Sequence, residues 1–335
     1  MMHEVLVIGA GSIGERHVRC FLQTRRAAVS VCEIDNQIRG KIESDYSIRR
    51  SHSSLSDALA SGPDAVVVAT PANLHVPMAI EAGRAGCHVL IEKPLSTNFE
   101  GIEALNEIVA NGRTIIRVAY VFRHLPVMSV VKDSIDGGRW GKPLQLIVVS
   151  GQHFPTYRPA YRDIYYAEHE RGGGAIQDGL THFLDAGQWW LGPIDRLVGD
   201  AGHLRLDGVE VEDAVNVLAR HGEVMGSYQF NQHQFPNEST FTLTCEQATV
   251  RVELAENKLL VMEEPAGEWA TQSWPHLDRD DSFVSQAHAF LDAVKGKQTC
   301  SCTVGEAIQT LRCQLVLLKD FKNNDQTKWD KLIDE

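Results

Sequence analysis

Val5-Leu6-Val7-Ile8-Gly9-Ala10-Gly11-Ser12-Ile13-Gly14 is the stretch that decides the fold. Four apolar residues in a row, two of them valine, read as a central parallel strand covered on both faces. Three glycines then end the strand and open a helix. Each position has its own reason to lack a Cβ: a tight turn at Gly9, close approach of a pyrophosphate to the backbone at Gly11, and close helix-to-strand packing at Gly14. Ser12 and Ile13 lie on the same turn, where the helix N-terminus faces the phosphates. A glycine pattern alone is weak, but strand, motif and helix in this order supply its context. Glu33 stands 19 residues beyond Gly14, at the end of the next apolar run, where a carboxylate accepts hydrogen bonds from ribose hydroxyls and repels a 2′-phosphate. Asp35 could share that role. No arginine immediately follows Glu33, so NAD is favoured over NADP.

Outward from this motif the pattern repeats. Residues 29–32, 65–69, 88–91 and 114–121 are similar strand-like runs, with helix-compatible stretches such as residues 76–85 between them. Pro63, Pro71, Pro77 and Pro94 lie at the edges of these runs, where a missing N–H is tolerated. The alternation predicts a doubly wound parallel sheet, a Rossmann domain over residues 1–122. Beyond it the texture changes to short strand-like runs at 144–150, 215–219, 225–230, 240–244 and 248–253, the pattern of a large, mainly antiparallel sheet. A second domain for substrate binding and oligomerisation is therefore expected over 123–322. Two helices close it, at 283–295 and 303–319, the second opened by a capping box from Thr303 to Glu306. The last helix is expected to pack back toward the N-terminal domain, and residues 323–335 to form a fraying polar tail.

Composition narrows the function. The chain has 335 residues, 43% hydrophobic and 23% charged, which excludes disorder as the main state. A net charge of −12 argues against long-range attraction to nucleic acid or an anionic membrane. The apolar runs are too short for a membrane span, and the first ten residues lack the basic region of a secretion signal, so a cytoplasmic protein is expected. Seven scattered cysteines suggest reduced core thiols, and Cys300-Ser-Cys302, the one close pair, lacks the second ligand pair of a zinc site. No metal is expected.

Three further blocks make a resemblance specific: Ala69-Thr-Pro-Ala-Asn-Leu-His75, then Ala85-Gly-Cys-His-Val-Leu-Ile-Glu92-Lys93-Pro94-Leu95, then Gly172-Gly-Gly-Ala-Ile-Gln-Asp178-Gly-Leu-Thr-His182-Phe-Leu-Asp185. With the glycine motif they stand in the order of the Gfo/Idh/MocA oxidoreductases, which the chain resembles from residue 3 to about 320. The resemblance implies an N-terminal nucleotide-binding domain, a C-terminal domain on a large open sheet that commonly pairs between subunits, and NAD(P)-dependent redox chemistry on sugars, polyols or related molecules. It places Thr70, Pro71, Asn73, His75, Glu92 and Lys93 with the glycine motif around the cofactor. It also implies Lys93, Asp178 and His182 as the catalytic set, and it often has the peptide before Pro94 in cis.

The chemistry of these residue types agrees. Oxidising a secondary alcohol needs a base for the hydroxyl proton while hydride leaves carbon, and histidine's pKa suits that role. Asp178 and His182, four residues apart, share one helical face, so the carboxylate can orient the imidazole or hold the substrate. Lys93, at the C-terminal edge of a strand, lies where doubly wound sheets bind ligands, and its cation can stabilise alkoxide charge. Asp185 could orient His182 or simply pack, and Glu92 could form a structural salt bridge. Arg123 occupies a basic position expected to face the cleft. Residues 153–171 hold a density of cations and aromatics, among them Tyr157, Arg158 and Arg162, either as a surface loop or as a frame for an anionic substrate. The leading expectation is a dehydrogenase of a sugar, polyol or sugar acid, assembled as a homodimer or homotetramer through the C-terminal sheet. A glycosidase or lyase using transient oxidation, and a non-catalytic nucleotide sensor, are the alternatives.

Overall fold

The structure is a computed structural model, and it describes residues 2–323. The expected polar tail lies outside the described residues but for its first position. In chain order the early elements are β1 (His3–Ile8), α1 (Ser12–Gln23), β2 (Ala27–Cys32), α2 (Asn36–Asp45), β3 (Ser51–His52), α3 (Leu55–Ala60), β4 (Ala65–Val68), α4 (His75–Arg84), β5 (His88–Ile91), α5 (Ile102–Ala110), β6 (Ile116–Val118) and α6 (Pro126–Asp136). There follow β7 (Pro143–His153), the single turn α7 (Phe154–Tyr157), α8 (Thr181–Leu191), β8 (Arg196–Gly202), β9 (Ala214–His221), β10 (Val224–Asn231), β11 (His233–Cys245), β12 (Thr249–Glu253), β13 (Lys258–Met262) and β14 (Ala270–Ser273). The chain closes with α9 (Asp281–Val294), β15 (Cys302–Thr303) and α10 (Val304–Asn323).

These elements divide into two compact units: the chain up to Val130 with Glu170–Gly172 and Trp274–Ile308, and Val131–His169 with Gly173–Ser273 and the chain from Gln309. The first unit is built on a seven-stranded sheet in the order β15-β6-β5-β4-β1-β2-β3. All its pairs are parallel except β15 with β6. Its centre is β1, where Val5 stands opposite Val29 on one side and Ala65 on the other. A strand paired on both edges and covered on both faces must be apolar throughout, and Leu6 and Val7 are fully buried.

Of the C-terminal helices, α9 lies wholly within this unit. Ala287, Phe290 and Leu291 of α9, spaced for one helical face, join the core formed by Val18 and Phe21 of α1. The Phe290 ring meets Phe21 edge-on with centroids 6.4 Å apart. Each such fully buried side chain contributes about 1.5–3 kcal/mol. Asp280, just before α9, accepts from Arg19 Nε at 2.5 Å and holds the same helices together at the surface. By contrast α10 starts in the first unit and continues in the second. Its capping box is formed: the Thr303 backbone N–H donates to Glu306 Oε2 at 2.8 Å, and the Glu306 N–H donates back to Thr303 Oγ1 at 3.3 Å.

The second unit carries an eight-stranded sheet, order β14-β13-β12-β11-β7-β10-β9-β8, antiparallel except for β7 with β10. Period-two alternation decides its faces: Val215, Val217 and Ala219 of β9 point inward, Asn216 and Leu218 outward. On the inner face, Phe183 and Trp190 of α8 pack on Phe241, with centroids at 5.6 and 5.2 Å. On the outer face Leu218 lies opposite Val198 and Ser227, and Ser227 opposite Ile147; Val198, Leu218 and Ile147 are all exposed.

Candidate active site

The glycine motif is shaped by what surrounds each glycine. Gly9 has a φ of +83°, and a Cβ there would lie 2.8 Å from the Ala69 carbonyl oxygen. A Cβ on Gly14 would lie 1.8 Å from the Gly9 carbonyl oxygen, so α1 can start this close to β1 only through glycine. Gly11 is different, since a Cβ there would meet nothing within 4 Å. It is the N-cap of α1 and supplies no side-chain cap. The first N–H groups of the helix therefore face open space in front of Gly11. Ser12 is exposed at this helix start, while Ile13 packs against the core.

Glu33 reaches back to the turn. Its Oε2 accepts the Ala10 N–H at 2.7 Å and its Oε1 accepts the Asp35 N–H at 2.9 Å. Each oxygen keeps a lone pair for a further donor such as a ribose hydroxyl. Asp35 is committed elsewhere, because it caps α2, accepting from the Gln37 and Ile38 N–H groups at 2.7 and 3.1 Å.

Two loops at the C-terminal ends of β4 and β5 complete the first unit's site. Thr70 adjoins Gly9, its Cγ2 lying 3.1 Å from where a Gly9 Cβ would stand, and among the described residues its buried Oγ1 has no hydrogen-bond partner. Pro71 is half-buried and Asn73 exposed. His75 is buried, with Nδ1 2.7 Å from the Pro94 oxygen and Nε2 2.9 Å from the Thr70 oxygen. Burial holds its pKa below the ordinary value against the pull of these carbonyls, and the ring, which as neutral imidazole has one N–H to donate, lies between the two loops. This strut is the role the structure gives His75, whose ring is turned to the protein rather than outward. Glu92 is buried as well, at 2.6 Å from His17 Nε2 through Oε1, while its Oε2 accepts the Lys93 N–H at 3.0 Å. Lys93 is half-buried and the Lys93–Pro94 peptide is cis.

In the second unit, Asp178 lies in a π-helical turn, Ile176–Leu180, and His182 is the second residue of α8. The spacing of four is thus realised across a π-to-α junction rather than in a regular α-helix, and such turns are frequent at functional sites. Tyr165 Oη donates to Asp178 Oδ1 at 2.8 Å. Both Asp178 and His182 are partly exposed, and Asp185 is buried at 1%.

The candidate substrate cations and tyrosine separate. Arg123 is 2% exposed and donates to Glu306 Oε1 at 2.7 Å, the carboxylate partner that a buried guanidinium needs. Arg162 stacks on Tyr161 at 4.7 Å and donates to the Asp207 oxygen at 2.7 Å, which ties it to the loop between β8 and β9. Tyr161 and Tyr166 are core residues with Phe154, because the aromatic density of this segment builds a small hydrophobic cluster. Tyr157 and Arg158 are exposed.

Two residues that hold the site, His17 and Tyr165, do not stand out in the sequence as site residues. A signal for His17 is present all the same: three residues after Gly14, it falls on the buried face of α1 together with Val18 and Phe21. Tyr165 has none beyond the aromatic density of its segment, because its partner is 13 residues away across irregular chain.

The residues of the first unit fit a dinucleotide. Gly11 leaves room that any other side chain would fill, α1 offers uncapped N–H groups, Thr70 Oγ1 is unsatisfied, and Glu33 stands at the end of β2 with lone pairs to spare.

Comparison with known proteins agrees. The family model described as "Oxidoreductase family, NAD-binding Rossmann fold" matches residues 3–120, and the GFO/IDH/MocA C-terminal domain matches residues 128–251. Inositol 2-dehydrogenase of Pseudomonas savastanoi pv. phaseolicola is 30% identical over 190 residues, 55% of this chain and 53% of that protein. The scyllo-inositol 2-dehydrogenase (NAD(+)) of Bacillus subtilis is 27% identical over 217 residues, 62% of this chain and 59% of that one. The chain spans about half the length of the curated relatives it matches. Among solved structures, a levoglucosan dehydrogenase in complex with NADH and levoglucosan superposes with a TM-score of 0.86 at 19% identity, covering 95% of this chain and 97% of that one. The WlbA dehydrogenase from Bordetella pertussis, in complex with NADH and UDP-GlcNAcA, has a TM-score of 0.80 at 25% identity and 96% coverage of both chains. With both domain models matched in order on a glycine turn that fits a dinucleotide and on an open, mainly antiparallel sheet, the chain belongs to the Gfo/Idh/MocA oxidoreductase family.

Proposed function

We propose that the protein is an NAD-dependent dehydrogenase acting on a secondary hydroxyl or keto group of a sugar, polyol or sugar acid. The observation that carries this reading is the continuous frame of the first unit: Glu33 bonded to the glycine turn, Thr70 against Gly9, His75 spanning Thr70 and Pro94, and Glu92 holding the Lys93 N–H. Dinucleotide-binding elements and Lys93 thus belong to one hydrogen-bonded body. The bound nicotinamide supplies the hydride acceptor or donor. In this reading His182 takes the hydroxyl proton, Asp178 orients it or the substrate, and the Lys93 ammonium stabilises negative charge on the substrate oxygen. Tyr165 keeps Asp178 in place through its hydroxyl. The inositol and levoglucosan dehydrogenases among the relatives and neighbours support the substrate class, and WlbA, crystallised with UDP-GlcNAcA, extends it to sugar acids. The exposed Arg158 and Tyr157 are the remaining candidates for contacts with an anionic substrate.

The first unit, which takes residues 274–308 along with the expected 1–122, serves the cofactor in this scheme, and the second unit the substrate and assembly. The exposed apolar row of Val198, Leu218 and Ile147 suits pairing of two sheets in a homodimer or homotetramer. A monomer in sedimentation at working concentration would remove that part. Cys20, Cys32, Cys87, Cys245 and Cys313 are free, buried thiols, which suits a reducing compartment such as the cytoplasm.

The test is a panel of sugars, inositols and uronic acids with NAD, followed by the absorbance of the reduced nicotinamide. Net reduction with at least one of them is expected. Turnover without net reduction would assign transient oxidation instead, and cofactor binding with no turnover on any of them would favour a sensor.

A further inference from the structure

His17 and Glu92 are separated by 75 residues, yet they meet in the interior of the first unit at 2.6 Å, with side chains 1% and 6% exposed. A buried carboxylate is costly unless its lone pairs are satisfied. Here both oxygens are engaged: Oε1 faces His17 Nε2, and Oε2 accepts the Lys93 backbone N–H. Because an ionised carboxylate can only accept, the proton in the first contact sits on His17 Nε2. Burial pushes the Glu92 carboxyl up, but the His17 hydrogen bond, with the neighbouring Lys93 charge, outweighs it and holds the group below the ordinary carboxylate range. The His17 ring is itself held, edge-on to Phe283 at 5.9 Å and tilted against Phe21 at 6.3 Å. It has little freedom to let Glu92 turn.

The geometry points to His17 as a positioning residue: through Glu92 it fixes the Lys93 peptide, and so the direction of the Lys93 side chain, by latching the active-site loop to the helix whose N-terminus opens at Gly11. His17 touches neither cofactor nor substrate in this scheme. The consequence is specific. Without a donor at position 17, Glu92 loses one of its two bonds and its carboxyl rises, so that mild acid neutralises it and frees the Lys93 N–H from a charged acceptor. The titratable groups that face Glu92 are His17 from α1, His75 from α4 and Lys93 beside it. The kinetic part of this inference rests on the dehydrogenase reading; the structural part does not.

The experiment uses the full chain labelled with 15N-lysine, with the Lys93 amide identified as the resonance missing from Lys93→Arg. In the wild type this amide should stay downfield, as expected for a bond to carboxylate, and should not titrate across the neutral range. In His17→Phe, which keeps the ring stacking, it should move upfield as pH falls. In Glu92→Gln it should be upfield at every pH, and His17→Gln, which can still donate, should restore the wild-type behaviour. With an active substrate, kcat of His17→Phe should fall roughly tenfold and its pH profile should gain a second acid limb beside the one His182 gives the wild type, since small misplacement of a reacting group is enough for such losses. A Lys93 amide in His17→Phe that matches the wild type at all pH values overturns the inference. If His17→Phe does not fold, an unshifted Lys93 amide in Glu92→Gln overturns it equally. Absence of turnover on every sugar would instead count against the dehydrogenase reading, while the amide measurements would still decide the latch.

Discussion

Glu33 Oε2 accepts the Ala10 N–H at 2.7 Å, so the acid at the end of β2 and the turn after β1 form one hydrogen-bonded piece. A negative charge is thereby fixed beside the place where the adenosine ribose of a dinucleotide rests on this kind of turn. NAD should bind more tightly than NADP, and Glu33→Ala should narrow the gap by removing repulsion from the 2′-phosphate. Calorimetric dissociation constants for both nucleotides check this, and equal or tighter binding of NADP to the wild type would refute it.

Two glycines of the same motif should respond oppositely to a side chain. Gly11 has room and an ordinary φ of −62°, so Gly11→Val should fold normally while losing cofactor affinity severely. Gly14→Val would drive its Cβ into the Gly9 carbonyl and should cost several kcal/mol of stability, of the order seen when overpacking displaces backbone. Thermal melts and NAD titration of the two variants separate the cases.

His124 is buried, and burial followed by the nearby Arg123 charge pushes its pKa down to about 3. Its ordinary value is 6.5, so below that pH the unfolded chain takes up a proton that the folded chain refuses. The sign follows: stability is complete above pH 6.5 and falls as acid is added, by at most about 1.4 kcal/mol per pH unit from this residue. His124→Gln should flatten the profile between pH 6.5 and about pH 4 in urea titrations. An unchanged slope would assign acid sensitivity to other groups.

Tyr165 Oη holds Asp178 Oδ1 at 2.8 Å, at the π-turn before His182. His182→Ala should lower kcat by roughly 10² to 10⁴, the usual worth of a positioned acid or base, with NAD affinity almost unchanged. Tyr165→Phe should lower kcat by less, roughly tenfold, since it loosens Asp178 without removing it. The wild-type kcat/KM should rise through a pKa near the ordinary histidine value, and that limb should vanish in His182→Ala. If it persists at near wild-type kcat, Lys93 becomes the principal acid-base candidate.

Much of this protein is legible in its sequence, and the reason is locality. The run from Val5 to Gly14 signals strand, turn and helix through the residue types within its own ten positions, and the alternation after it signals a parallel sheet. The Thr303 to Glu306 capping box is equally local and forms as its spacing predicts. What only the tertiary structure decided involves partners far apart in the chain. Arg123 reads as a basic residue at the edge of a cleft, and nothing near it in the chain announces its carboxylate partner, Glu306, 183 residues away. His75 reads as part of a cofactor loop, but two backbone carbonyls from separate loops claim its ring nitrogens. Tyr161 and Arg162 read as candidates for a substrate frame, but the cluster with Leu206, Val209 and Val211 claims the one and the Asp207 carbonyl the other. A polar or aromatic side chain goes to whichever partner the folded chain leaves unsatisfied nearby, and its own type does not say which. That is why Lys93, Asp178, His182 and Glu92 could be named as candidates from their motifs, while His17 behind Glu92 and Tyr165 behind Asp178 emerged only from the fold.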